Sequence, residues 1–383
     1  MQEQEDVAVE VTERGWMNRI GDSFKAMLVG LVLIVVSFPV LIWNEGRAID
    51  AARSLAEGRA TVTAVAADAV SPGNDGHLVH LSGRLTSSDV LVPATVLARP
   101  AIKLHRNVEV FQWEESSQSQ TRDKVGGGST TETTYTYRKA WSGGLNDSTQ
   151  FHKPGGHKNP AAMPVSDATQ VVENARVGAF RLTRPVLDQV DFYQPVPAES
   201  LSALAARDLR RSLTVAGEWA YSGAADDPKV GDFRVAYSLV PAAEISIIAR
   251  QNRATLEPHH TRNGEELLIV RPGVVGADTM FAEAERDNAI LTWILRLVGW
   301  LVMLFGFVML SRLLVALAAV IPLLADIVAG GIFLVALPLS LCLSLVTIAL
   351  AWIAFRPLIG IPLLVLAGAA AAAPFLRRRF VKA

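Results

Sequence analysis

The chain has 383 residues, enough for two or three ordinary domains, and half of them are apolar. The net charge is −1, so a nucleic acid or another strongly charged partner is not indicated. The single cysteine, Cys342, lies in an apolar run, which excludes an internal disulfide and a cysteine-based zinc site. The apolar residues concentrate at the two ends of the chain, a distribution typical of membrane proteins.

Residues 1–25 are predicted to form a cytoplasmic interfacial segment. Trp16, Ile20, Phe24 and Met27 fall on one helical face, and basic residues are interleaved with them. Two interpretations stay open: an amphipathic helix lying in the membrane interface, or the beginning of the helix that follows.

The first predicted transmembrane helix covers residues 26–43, an uncharged run that would reach about 27 Å, close to the thickness of the hydrocarbon core. Pro39 would kink it near its end. A cleavable signal peptide is the alternative, but no small-residue cleavage site follows the run. The sequence therefore favours an uncleaved anchor.

Residues 44–288 are predicted to form an exported α+β domain, periplasmic or lumenal, with a β-rich core. Alternating patterns after Arg106 and before Trp141 predict a long hairpin with a polar tip that contains three glycines. Asn263 and Gly264 are a strong signal for another hairpin turn. The predicted fold class is thus a membrane protein with a large α+β extramembrane domain.

The stretch GGHKNP, in which His157, Lys158 and Asn159 are adjacent, is the main candidate for chemistry in this domain. Two glycines free the backbone, and Pro160 favours an extended Asn159, as at the start of a turn. A catalytic role would need a nucleophile or a paired acid, which the sequence does not mark. We interpret the three residues as shaping a loop, and catalytic activity is not expected.

No cofactor and no metal are predicted. The sequence lacks HExxH, GxSxG, phosphate-loop and dinucleotide motifs. Four histidines lack companion ligands at a recognisable spacing, namely His77, His80, His259 and His260.

Three more transmembrane helices are predicted, at residues 289–310, 332–355 and 357–376, which makes four spans in all. Arg296 lies near enough to the edge of its span for its side chain to reach the interface. The basic tail, residues 377–383, predicts a cytoplasmic C-terminus. Four spans then place the N-terminus on the same side and the large domain on the other.

Residues 311–331 lie between the predicted spans 289–310 and 332–355. They hold an apolar run that is too short to cross the bilayer and is interrupted by Pro322. They are predicted to be a re-entrant or interfacial hairpin. Asp326 is the one acidic residue close to membrane depth here, and such a residue is a functional candidate by default. A solvated interface residue or a helix cap is the alternative interpretation.

The chain resembles the LUMA family (transmembrane protein 43) in strings that follow one another from about Gly21 to Phe375. They are SFPVLIWNEGRA, RNVEVFQWEE, GHKNPAAM, VGDFRVAYS, IIARQ and FRPL. The resemblance implies four spans and a large lumenal domain, located in animals in the endoplasmic reticulum and inner nuclear membrane. It carries over no catalytic residue. The Ala- and Arg-rich composition predicts a bacterial source and hence the bacterial inner membrane.

The resemblance also implies a non-enzymatic protein that organises membrane structure or scaffolds membrane complexes as a homo-oligomer. Its expected partners are further copies of itself, other membrane proteins and the lipid bilayer, without nucleic acid. An ion channel or channel subunit is the alternative function. A hydrolase built on the exported domain is the second alternative.

Overall fold

The computed structural model describes residues 6–97, 99–320 and 322–355. They divide into two units. The β-rich unit consists of residues 6–10, Leu55–Ser119 and Glu132–Ala282. The helical unit consists of Val11–Ser54, Gln120–Thr131 and the residues from Glu283 onwards.

The strands are short except for two that form a long hairpin. In chain order they are β1 (Asp6–Arg14), β2 (Thr63–Ala64), β3 (Leu78–Ser87), β4 (Ala101–Asp123), β5 (Ser129–Ser142), β6 (Ala168–Val171), β7 (Ala175–Val177), β8 (Phe180–Leu182), β9 (Gln194–Pro195), β10 (Thr214–Ala216), β11 (Trp219–Tyr221), β12 (Phe233–Pro241), β13 (Glu244–Asn252), β14 (Thr255–Glu257), β15 (His259–His260), β16 (Glu266–Leu267) and β17 (Ile269–Pro272). The predicted long hairpin is confirmed as β4 and β5, and the predicted turn at Asn263 and Gly264 joins β15 to β16.

The helices fall into three long and three short elements. They are α1 (Trp16–Thr61), α2 (Arg184–Asp188), α3 (Ala198–Leu209), α4 (Ala277–Leu310), α5 (Arg312–Ala318) and α6 (Pro322–Phe355).

The first sheet has the order β1-β5-β4-β12-β11-β10, with β6 and β9 paired to β4 and β12. β4 and β12 are antiparallel, with Val108 opposite Val235, and both side chains are fully buried. The alternation of apolar and polar residues along β4 and β12 buries one face of the sheet under α3, whose Leu201 and Leu204 are also fully buried.

The second sheet closes on itself. β13 pairs with both β14 and β3, and β14, β8, β7 and β3 are paired in succession, so five strands form a small barrel. Ile245, Ile247, Ile248 and Ala249 of β13 are all fully buried, as expected for a continuous apolar run in a strand with two covered faces.

Three described helices are long and apolar enough to cross a membrane: α1, residues 277–318 with α4 and α5, and the part of α6 from Gly330. The predicted span 26–43 lies inside α1, which begins at Trp16 and is continuous through the span. The interfacial location of residues 1–25 stays a prediction. Residues 357–376 and the tail 377–383 lie outside the described residues.

The region predicted as a re-entrant hairpin, residues 311–331, contains α5 and the first turns of α6. Pro322 is the first residue of α6, where the missing N–H of proline costs no hydrogen bond. α6 therefore begins ten residues before the span predicted at 332–355, and its Pro338 lies inside the helix.

Two contacts bear on the predicted sidedness. β1 precedes the apolar run of α1 and pairs with β5, which follows that run. At the hairpin tip, Arg19 donates to the Gly127 carbonyl at 2.9 Å and pairs with Asp123 at 3.0 Å. The predicted topology places residues 1–25 and 44–288 on opposite sides of a bilayer, whereas each of these contacts requires its partners to share a side. Sidedness stays a prediction, and labelling distinguishes the two arrangements.

Candidate functional site

A group of polar residues follows directly on the apolar run of α1. Asn44, Glu45 and Arg47 continue the helix beyond Trp43. Asn44 and Glu45 are almost fully buried, with 0% and 1% of their surface exposed. A buried carboxylate needs compensation, so the partners of Glu45 decide what this site does.

Glu45 is held by the two other long helices. Arg296 of α4 lies side-on to the carboxylate, with Nε 2.6 Å from Oε1 and Nη2 2.8 Å from Oε2. Trp352 of α6 donates its indole N–H to Oε2 at 2.7 Å. One carboxylate therefore joins α1, α4 and α6 through three charge-assisted hydrogen bonds.

The pair compensates two charges that would each be costly inside a membrane. The Arg296 side chain is 15% exposed and that of Glu45 2%. The Arg296 guanidinium also lies over the Trp293 ring, 4.7 Å from its centroid. The sequence predicted that Arg296 lies near enough to the edge of its span to reach the interface, and this stays a prediction. The structure adds a partner, because the bidentate Glu45 carboxylate replaces the hydration of the guanidinium.

A second polar layer is formed by Asn44 and Arg47, which flank Glu45 on α1, with residues one and two turns before Arg296 on α4. Arg47 donates to Asn288 Oδ1 at 3.0 Å and to Thr292 Oγ1 at 3.0 Å, both on α4. Asn44 donates to the Thr292 carbonyl at 3.1 Å, and Asn288 donates to the Ala48 carbonyl at 2.9 Å. This layer ties α1 to α4 with reciprocal bonds between side chains and backbone.

Close helix packing brings these groups within reach. α1 and α4 touch through their backbones at Gly30, where an added Cβ would lie 2.6 Å from the Gly306 carbonyl oxygen. At Gly46 a Cβ would lie 3.0 Å from the Phe355 ring of α6. Arg53 donates to the Phe355 carbonyl at 2.9 Å and so satisfies the C-terminal end of α6.

The arrangement is suited to joining helices, since both carboxylate oxygens of Glu45 already accept hydrogen bonds. A general acid or base needs a free proton-transfer position. Three hydrogen bonds already occupy this carboxylate, whose side chain is 2% exposed. Among the described residues, no group of three His, Cys, Asp or Glu side chains could hold a metal ion.

The candidate loop of the β-rich unit is held from inside. Asn159 Oδ1 accepts from the backbone N–H of Trp113 at 2.8 Å, and Asn159 Nδ2 donates to the Trp113 carbonyl at 2.9 Å. His157 is 3% exposed and stacks on Tyr137 with 4.0 Å between ring centroids. Lys158 is exposed. The structure thus brings His157 and Asn159 against one sheet and leaves Lys158 in solvent.

Tyr137 is the neighbour of His157 with a strongly shifted pKa. Burial, followed by the hydrogen bond from its hydroxyl to Glu115 at 2.6 Å, raises the pKa of Tyr137 to about 12. The phenol is therefore a neutral donor at physiological pH. The Tyr137 hydroxyl also accepts from the backbone N–H of Lys153 at 2.9 Å. This bond fixes the segment that leads into the loop of His157 and Asn159.

Asp326 lies in the first turns of α6, and its side chain is outside the described part of the structure. Sequence reasoning missed Glu45, Trp352 and the role of Arg296. The available signal was the opposite charges of Glu45 and Arg296 at the end of one apolar run and inside another. A charge inside one apolar run indicates a partner on another helix.

The family model described as transmembrane protein 43 matches residues 110–357. The chain is 34% identical to transmembrane protein 43 of Homo sapiens over 370 residues, 92% of this chain and 90% of the relative. It is 33% identical to that of Rattus norvegicus over 359 residues, 90% of this chain and 88% of the relative. It is 31% identical to the transmembrane protein 43 homolog of Drosophila melanogaster over 350 residues, 89% of this chain and 92% of the relative. No solved structure matches the chain.

Proposed function

The chain belongs to the transmembrane protein 43 family, and from this premise we propose that it is a non-enzymatic organiser of membrane structure that works as a homo-oligomer. In this role it scaffolds other membrane proteins and contacts the lipid bilayer. The membrane is the endoplasmic reticulum or the inner nuclear membrane for a eukaryotic source, and the bacterial inner membrane for the bacterial source that the composition predicts.

The observation that carries the proposal is the engagement of both oxygens of the buried Glu45 carboxylate by Arg296 and Trp352. A site for turnover or for a mobile ion keeps some polar groups available, whereas here most of them join helices. Such bonds favour a single arrangement of α1, α4 and α6, and a scaffold needs this constancy.

The outward faces of the long helices support assembly within the membrane. Large apolar side chains are exposed along α1 and α4, among them Val35 at 58%, Trp293 at 67% and Phe305 at 60%. These faces contact lipid in a monomer and can pack against a second copy or another membrane protein. Close approach of small residues, as between Gly30 and Gly306, is how membrane helices gain packing energy.

The test is the mass of the full chain in nanodiscs, measured over a wide range of protein-to-disc ratios. We expect a discrete homo-oligomer that persists on dilution. A particle that is monomeric at every ratio would contradict the oligomer. A hydrolytic activity of the purified chain that is lost in His157→Ala would contradict the non-enzymatic role and favour the hydrolase.

An ion channel or channel subunit is the second candidate, favoured by one observation. Charged side chains among membrane helices often mark ion pathways, and Glu45 and Arg296 are such a pair. The full chain in a planar bilayer tests this function. Currents that change in Glu45→Gln or Asp326→Ala, and not in Glu132→Gln on the exposed part of β5, would favour the channel over the scaffold.

A further inference from the structure

The first described strand brings acidic side chains onto histidines of the β-rich unit. Asp6 and Glu10 lie four residues apart on β1, so both point to the same face of the strand. Asp6 Oδ2 is 3.2 Å from His157 Nε2, and Glu10 Oε2 is 3.8 Å from His152 Nδ1. The family relationship and the helix site leave this pairing unexplained.

The ring of His157 faces a hydrogen-bond acceptor at both nitrogens. Nδ1 is 2.8 Å from the Lys153 carbonyl oxygen, which can only accept, so Nδ1 carries a proton. Nε2 faces the Asp6 carboxylate, which accepts when it is ionised. The contact therefore holds one proton more than a neutral imidazole and a separate carboxylate do.

The surroundings of the His157 ring are aromatic and largely closed to solvent. His157 stacks on the Tyr137 face at 4.0 Å between centroids and meets Trp113 edge-on at 4.7 Å. An aromatic face attracts a cation, and burial removes competing water. The His157 side chain is 4% exposed while that of Asp6 is 53% exposed, so the pair lies at the border between core and solvent.

Other charged groups face this place from each packed element. From β4, the Glu115 carboxylate accepts from the Tyr137 hydroxyl and from the backbone N–H of His152, each at 2.6 Å. From β5, Lys139 lies over the Trp113 ring at 4.9 Å. His152 stacks on Tyr135, with 4.1 Å between ring centroids. Glu115 is thus engaged by Tyr137 and His152, and Asp6 is the acidic group that directly contacts the His157 ring.

We propose that the pairing of β1 with its neighbour β5 is proton-dependent, with the His157–Asp6 contact as the switch. With the proton present, His157 donates to Asp6 and to Lys153, and β1 is held at the edge of the sheet. Without it, a ring lone pair faces a carboxylate, and β1 is released. The proposal therefore predicts strong docking at low pH, where the proton is present, and weak docking at high pH, where it is absent.

Hydrogen–deuterium exchange of the full chain in nanodiscs tests the switch. Protection of residues 6–14, corrected for intrinsic exchange, is compared at about pH 5.5 and about pH 8, which bracket the ordinary imidazole pKa of about 6.5. We expect protection to fall at least about tenfold at the higher pH, where an imidazole is mostly neutral. His77→Gln, an exposed histidine outside the site, is expected to leave this fall unchanged.

Two variants separate the switch from simple packing. In Asp6→Asn the amide can donate to a neutral Nε2, so protection is expected to differ less than about twofold between the two pH values. In His157→Phe the ring stays stacked without a proton site, and protection is expected to be low at both. Protection of β13 in the same sample reports whether the β-rich unit is folded.

Three results would overturn the proposal. The first is equal protection of wild-type residues 6–14 at both pH values. The second is a full pH-dependent fall in Asp6→Asn. The third is no protection at either pH, as expected if a bilayer separates residue 6 from His157.

Discussion

Arg296 and Glu45 lie 251 positions apart in the chain, yet the guanidinium is bidentate to the carboxylate, with N–O distances of 2.6 and 2.8 Å. Removing either charge leaves the other buried without its partner. We therefore expect Glu45→Gln and Arg296→Gln each to destabilise the helical unit by about 3–5 kcal/mol, measured by thermal unfolding in nanodiscs. Arg122→Gln, on an exposed position of β4, serves as the matched control and should change little.

The charge-reversed pair Glu45→Arg with Arg296→Glu should recover part of that loss. Recovery is incomplete because the Trp352 indole N–H would then face a guanidinium instead of an acceptor. A double variant no better than the single ones would show that the loss comes from packing rather than from the ion pair.

The indole of Trp352 contributes a hydrogen bond to a charged group. Trp352→Phe keeps an aromatic ring and removes the donor to Glu45. We expect a loss of about 1.5–3 kcal/mol in the same unfolding measurement. Trp300→Phe is the comparison, because its indole donates to the neutral Ser340 hydroxyl at 3.2 Å and should cost about 0.5–1.5 kcal/mol. Equal losses would argue against the special role of Glu45.

Gly30 permits the close crossing of α1 and α4. In Gly30→Ala the new Cβ would meet the Leu310 nitrogen at 2.5 Å, and backbone atoms cannot move aside cheaply. We expect the helices to separate and the thermal midpoint in nanodiscs to fall. Gly21→Ala on the same helix has no atom within 4 Å of its Cβ and should be neutral or stabilising by up to about 1 kcal/mol. A harmless Gly30→Ala would contradict the crossing.

The loop residues should affect folding instead of a reaction. Asn159→Ala leaves the Trp113 backbone N–H without its partner and the Trp113 carbonyl with only the Asn146 amide, a loss of about 1–3 kcal/mol for the β-rich unit. The exposed neighbour Lys158 gives the control, and Lys158→Ala should be neutral. Chemical denaturation of the full chain measures both, and a stable Asn159→Ala protein would show that the loop is held in another way.

Sidedness is tested with single cysteines in a Cys342→Ser background. The Arg19–Asp123 pair predicts that Met17→Cys and Val125→Cys, which are 71% and 90% exposed, react with an impermeant maleimide from the same side. Reaction from opposite sides would instead support a cytoplasmic N-terminus with an exported domain. It would also show that the pair does not form in the bilayer.

The membrane helices and much of the strand pattern were predictable from the sequence, because bilayer thickness requires long uncharged runs and a half-buried strand requires alternation. The run at 26–43 and the hairpin of β4 and β5 are examples. The family was also recognisable, since its strings are long and occur in order.

Only the tertiary structure showed which of these residues meet. Glu45 follows the end of an apolar run, where a charged residue is usually explained as flanking a membrane span. Arg296 lies near the edge of its own run, and the same explanation applied to it. Their pairing depends on the rotation of α1 and α4 about their axes and on the backbone contact at Gly30, and no local pattern encodes either. The docking of β1 was hidden for the same reason, because hydrogen bonding at a sheet edge is decided by a partner far away in the chain.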